Sequence, residues 1–212
     1  SIESMEITSK EPSLFYLWRL DEGAPQLLAL CRQEGISVED LAYMPPKRQR
    51  EAAAERLLLC HAFGRPVTLA HTSQGVPVVE DEACNISISH TPRLVAVALH
   101  QQQIIGIDAE QADRVQVLRV RDKFLNAKEK QFIAADDMAA HIIAWTAKEA
   151  VIKAERNSRL DWTEGITVEP FSLGISMPSV LNLTAQCGLN HYRLTTRVVE
   201  GHYLTLAVAC PG

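Results

Sequence analysis

Apolar and polar positions recur along this chain with two periods, and the segments they mark run strand, helix, then strands, twice over. Leu14-Phe15-Tyr16-Leu17-Trp18 reads as a strand, and Gln26 to Gln33 as a helix stopped by Gly35. After Pro45-Pro46 a helix runs from Lys47 to Phe63, closed by Gly64 and Pro66. Strands follow at Val67 to Ala70, Asn85 to Ser89 and Leu94 to Leu99, the last apolar on both faces as a central strand is. The polar stretch His100 to Gln103 then turns the chain into Ile104 to Glu110, which predicts an antiparallel hairpin between those two runs.

The second half opens on that strand and continues with a helical stretch from Val117 to Phe124. Asn126, with Glu129 three residues on, has the form of a capping box opening a short helix. A long helix spans Asp137 to Glu155, and the remainder is rich in strands: Ile166 to Phe171, Val180 to Thr184, and a hairpin of His191 to Val199 with His202 to Ala209 around Glu200-Gly201. The fold class expected is α+β (α/β). Two similar halves, residues 1–105 and 106–212, pack as a pseudo-dimer in one compact unit, with the cleft between them as the natural site.

Composition narrows the classes of function. The chain has 212 residues, 47% of them apolar and 22% charged, which is ordinary globular protein. A net charge of -5 argues against nucleic acid as a partner, and the one basic cluster is Lys47-Arg48-Gln49-Arg50, with Arg56 two turns on. No apolar run is long enough to span a bilayer, and the polar opening Ser1 to Pro12 carries no visible export signal, so a soluble, cytoplasmic protein is expected. The five cysteines are scattered singly, which favours buried thiols over a disulfide framework or a zinc site.

One residue resists an ordinary reading. At about 100° per residue, Glu149 shares a helical stripe with Ile142, Trp145 and Ile152, so its carboxylate lies on an apolar face and needs a cation nearby. Lys153 offers one through an i,i+4 salt bridge, and a metal offers another. In Ile105-Gly106-Ile107-Asp108-Ala109-Glu110, alternation puts the aliphatic residues on one face and Gly106, Asp108 and Glu110 on the other. Two carboxylates about 7 Å apart along a strand repel each other unless something positive stands between them, and the glycine beside them leaves room for a ligand. A hard divalent cation such as Mg²⁺ meets that need; solvated side chains at a strand end are the plain alternative. Upstream, Ser89, His90 and Thr91 before Pro92 form a loop able to donate hydrogen bonds to phosphate, or simply a turn bonded to its own backbone.

These motifs, in this order, resemble the 4′-phosphopantetheinyl transferases, specifically their larger, monomeric Sfp-type branch. The resemblance lies in Ile105-Gly106-Ile107-Asp108-Ala109-Glu110 followed by Trp145-Thr146-Ala147-Lys148-Glu149-Ala150 and Lys153, with Asn85-Ile86-Ser87-Ile88-Ser89-His90-Thr91 upstream and Gly75-Val76-Pro77 in place of Gly-Lys-Pro. It covers roughly Lys47 to Lys153 and extends to the tail only in outline.

The resemblance implies transfer of phosphopantetheine from coenzyme A to a serine of an apo acyl or peptidyl carrier protein, with release of adenosine 3′,5′-bisphosphate. Asp108, Glu110 and Glu149 are then expected to hold Mg²⁺, with Glu149 also a base for the serine and Lys153 offsetting charge on the phosphoryl group. Glu129 matches an acidic position of the family, with the capping box as its rival role. Ser89, His90 and Thr91 are expected at the phosphates, and Lys47 or Arg48, with Arg56, at the 3′-phosphate. A non-catalytic module binding coenzyme A or a carrier protein is the alternative. Three positions depart from the family's pattern: Val76 replaces a lysine, Ala109 a bulkier aliphatic residue, and Ala154 to Leu160 lacks the glycines that many relatives have there.

Overall fold

The computed structural model describes residues 2–6 and 13–212, with side chains from residue 15 onward; residues 1 and 7–12 of the polar opening lie outside the described residues. The chain divides into two units, Ser1–Gln102 and Gln103–Gly212. Every strand pairing among the described residues is antiparallel, so the mixed helix and sheet content is α+β.

The first unit contains β1 (Ile2–Glu6), β2 (Ser13–Arg19), α1 (Ala24–Gln33), a 3-10 turn (Glu39–Tyr43), α2 (Pro46–Phe63), β3 (Leu69–His71), β4 (Pro77–Val79), β5 (Asn85–Thr91) and β6 (Leu94–His100). Its main sheet has the order β1-β2-β6-β5, with β3 and β4 paired separately. Helix α2 starts with Pro46 in its first turn, where the missing N–H costs nothing. It buries Ala52, Ala53, Ala54, Leu57, Leu58 and Leu59 in a core shared with Ile86, Val95, Val97 and Leu99. All seven residues of β6 are buried, as expected of a strand central in its sheet.

The second unit contains β7 (Ile105–Gln111), α3 (Gln116–Arg119), α4 (Arg121–Phe124), α5 (Ala127–Phe132), α6 (Met138–Glu155), β8 (Thr167–Val168), β9 (Leu181–Cys187), β10 (Asn190–Val199) and β11 (His202–Ala209). Its sheet has the order β7-β11-β10-β9-β8. Asp137 caps α6 by accepting from Ala140 N at 3.0 Å. At the other end, Arg156, within the glycine-free stretch Ala154 to Leu160, sits in the left-handed region with φ 58°, and its N–H closes the helix on the Ile152 carbonyl at 3.0 Å. The β10–β11 hairpin turns through Glu200 and Gly201, both at positive φ, as a tight two-residue turn requires.

Three expectations are corrected. The runs Leu94 to Leu99 and Ile104 to Glu110 are not hairpin partners: β6 pairs with β2 and β5 on its two edges, while β7 pairs with β11. A strand apolar on both faces has two neighbours, and alternation does not say which ones. The stretch Val117 to Phe124 is two short helices broken at Val120, and of Ile166 to Phe171 only Thr167–Val168 is strand.

Candidate functional site

The candidate site is built where α6 crosses β7. A Cβ placed on Gly106 would stand 1.8 Å from the Ala150 carbonyl oxygen and 2.9 Å from Ala154 N, so only glycine lets strand and helix touch backbone to backbone. The glycine's space is therefore filled by α6 and is no berth for a ligand, a correction to the sequence reading. Ala147, Ala150 and Ala154 on α6 are all buried, and their small side chains complete the close approach. With helix and strand so near, Asp108 and Glu110 on β7 share one neighbourhood with Glu149 and Lys153 on α6.

Electrostatics express that proximity. Asp108 is 5% exposed, and its carboxyl is pushed up to about 8, chiefly by burial; Lys153 pulls against that rise, and Glu110 and Glu149 add to it. Glu149 is half-buried and also raised, first by desolvation, with Lys153 and Arg114 acting against Glu110. Lys153 reaches across to β7, where its Nζ donates to the Ile107 carbonyl at 2.8 Å and lies 3.5 Å from Asp108 Oδ1. The lysine is thus shared between helix and strand, and the i,i+4 salt bridge alone does not describe it.

Glu110 accepts from Trp145 Nε1 at 3.1 Å on Oε1 and from Arg114 Nη1 at 2.5 Å on Oε2. The Arg114 guanidinium carbon lies 5.8 Å from the Trp145 ring centroid, and that ring is held by Trp162 at 4.5 Å and Phe124 at 5.1 Å. Among the described residues, no three His, Cys, Asp or Glu side chains are arranged to hold a metal ion. The donor chemistry still suits a hard divalent cation: Asp108, Glu110 and Glu149 lie within electrostatic reach of one another, and burial makes their joint ionisation costly without added positive charge.

Glu129 and its partner Lys148 belong to a separate, fully buried node, each 0% exposed. Lys148 Nζ donates to Glu129 Oε1 at 2.7 Å, the Phe124 carbonyl at 2.5 Å and the Trp162 carbonyl at 2.6 Å, matching its three N–H bonds. Glu129 also accepts from Asn126 N at 2.8 Å and Val168 N at 2.8 Å, and Asn126 Oδ1 accepts from Glu129 N at 3.0 Å. The capping box forms, and this carboxylate ties α5 and β8 to Lys148 of α6, while Lys148 itself holds the end of α4 and the segment before β8. Lys148 was legible by the same signal as Glu149, a charge whose i±4 neighbours Ala144 and Ile152 are apolar.

The first unit brings His90, Arg48 and Lys47 around one carboxylate, Glu51, and turns Arg56 to Asp40. Ser89, His90 and Thr91 are strand residues of β5 and not a loop, so alternation buries Ser89 and Thr91 on one face and exposes His90 on the other. His90 Nε2 lies 3.2 Å from Glu51 Oε2, and Thr91 Oγ1 accepts from Arg93 N at 3.2 Å in the turn to β6. Arg56 is bound to both Asp40 oxygens, at 2.8 and 2.6 Å, and to the Ser37 carbonyl; Arg48 is turned to Glu51 and Glu55. Lys47 is exposed and lines a cavity of about 130 Å³ with Leu20, Arg50, Glu51 and Pro92. Arg50, a member of the basic cluster that was given no phosphate to bind, is fixed there by the Glu22 carbonyl at 2.6 Å and by the Leu20 carbonyl.

No helix among the described residues is long and apolar enough to cross a membrane, and all five cysteines are free. No curated protein matches the chain. Residues 104–207, which hold β7, α6 and nearly all of β11, match the family model of the 4′-phosphopantetheinyl transferase superfamily, so this stretch is similar to a transferase domain of that superfamily.

Proposed function

We propose that the chain transfers the 4′-phosphopantetheine group of coenzyme A to a serine hydroxyl of an apo acyl or peptidyl carrier protein, in a Mg²⁺-dependent reaction that releases adenosine 3′,5′-bisphosphate. The observation that carries this reading is the meeting of Asp108, Glu110, Glu149 and Lys153 at the β7–α6 contact, inside the stretch similar to the superfamily. Phosphoryl transfer needs alignment and charge neutralisation more than covalent chemistry, and this cluster suits both.

Asp108, Glu110 and Glu149 are the residues that would hold Mg²⁺, which when bound supplies positive charge to the diphosphate oxygens. Glu149, the carboxylate of the cluster carried on α6, is the residue that would take the serine proton directly or through a water. Lys153, anchored on the Ile107 carbonyl, holds a positive charge suited to offsetting the charge that develops as the bisphosphate leaves. On the first unit, Lys47 beside Arg50 is the position best suited to a phosphate; Arg56 and Arg48 are committed to carboxylates. Free thiols fit a reducing compartment, and we assign a cytoplasmic monomer.

The test is to incubate the protein with coenzyme A, Mg²⁺ and an apo carrier protein and to read the carrier's intact mass. A phosphopantetheine increment supports transfer. Absence of any increment across several carriers, with coenzyme A binding measurable, replaces this reading with that of a non-catalytic binding module.

A further inference from the structure

Two cations face the carboxylate cluster, and they are held differently. Lys153 is tied to backbone through the Ile107 carbonyl, with its side chain 31% exposed. Arg114 stands in the turn between β7 and α3, with its side chain 45% exposed, and reaches back to Glu110 Oε2 at 2.5 Å. Its positive charge also acts on Glu149. A charge-assisted bond of that length engages one oxygen of a carboxylate that would help to hold the cation. Two positive groups drawn to one carboxylate repel each other, so arginine and divalent cation would compete for Glu110.

We propose that Arg114 is a displaceable counter-ion of the cation site: it neutralises Glu110 in the cation-free protein and gives way when a divalent cation binds. This rests on the cation site proposed above. The exposed turn lets the guanidinium leave Glu110 at small cost, and the Trp145 ring, already 5.8 Å from it and packed against Trp162 and Phe124, can keep its cation–π contact with the side chain once that bond is broken. Lys153 has no such freedom and stays as the fixed charge. Arg114 therefore sets the cation affinity of the site without itself being a ligand.

The experiment is calorimetric titration of Mg²⁺ into the full chain, with tryptophan emission followed in parallel, for wild type, Arg114→Gln and the charge control Arg119→Gln, which alters an exposed arginine on α3. Arg114→Gln is expected to bind Mg²⁺ roughly fivefold more tightly, the size of one modest ion pair removed from competition. The emission change that accompanies binding in wild type should be smaller in that variant, where only the Trp145 bond to Glu110 reports it, and Arg119→Gln should behave as wild type. Equal or weaker Mg²⁺ binding by Arg114→Gln, with wild-type binding present, overturns the counter-ion role and leaves the cation site standing. An equal gain in Arg119→Gln also overturns it, because a general field then explains the effect. No Mg²⁺ binding by any of the three, with or without coenzyme A, overturns both the counter-ion and the site.

Discussion

Gly106 on β7 lies against the carbonyl of Ala150 on α6, at a separation where an added methyl would meet that oxygen at 1.8 Å. Backbone cannot yield as a flexible side chain can, so Gly106→Ala forces strand and helix apart. We expect a loss of about 3 kcal/mol in denaturant unfolding, at the upper end of overpacking costs. Transfer activity should fall by more than the stability loss explains, because the shift separates Asp108 from Glu149.

The buried pair of Lys148 and Glu129 should behave as structure and not as catalysis. Removing one partner strands a charge in the core, so Lys148→Met or Glu129→Leu alone is expected to cost about 3 to 5 kcal/mol. The double variant should recover much of that loss in the same unfolding assay.

Lys47 and Arg56 should separate cleanly. Lys47 is exposed at the cavity of the first unit, so Lys47→Ala should raise KM for coenzyme A and leave stability within about 0.5 kcal/mol of wild type. Arg56→Ala breaks a bidentate bond to Asp40 and should cost about 1 kcal/mol of stability while leaving KM unchanged. Steady-state kinetics and thermal unfolding on both variants check this.

Burial pushes the thiols of Cys31 and Cys187 up to about 11, from an ordinary value of 9.0. The folded state thus holds these protons more tightly than the unfolded one. The stability they contribute is fully present below about pH 9 and is lost as pH rises toward 11. In the native protein at pH 8, both should resist a thiol reagent that labels them readily in denaturant, as peptide mapping would show.

The sequence made the two long helices, the last hairpin and the acidic cluster legible for a physical reason: each is set by local periodicity, capping or a charge out of place on an apolar stripe. Asn126 caps where it was expected, the long helix begins at the boundary expected with Asp137 as its cap, and Glu149 does sit among apolar neighbours. Strand partnership was not legible, because β6 and β7 are adjacent in sequence yet pair elsewhere, through non-local contacts. Arg114 escaped notice because its contact to Glu110 spans a turn and not a helix, where i,i+4 spacing carries no expectation. The role of Gly106 was misread because a strand pattern shows which face a residue takes and not what covers it.

Glu149 is tested most directly by the intact mass of an apo carrier protein after incubation with coenzyme A and the Glu149→Gln variant, across a Mg²⁺ titration beside wild type. Glutamine keeps the shape and loses the charge, so the fold should persist by circular dichroism while the phosphopantetheine increment, present with wild type and dependent on Mg²⁺, disappears at every Mg²⁺ concentration. Wild-type transfer by the variant, or transfer by wild type indifferent to Mg²⁺ removal, would contradict the assignment of Asp108, Glu110 and Glu149 as the reaction's cation site.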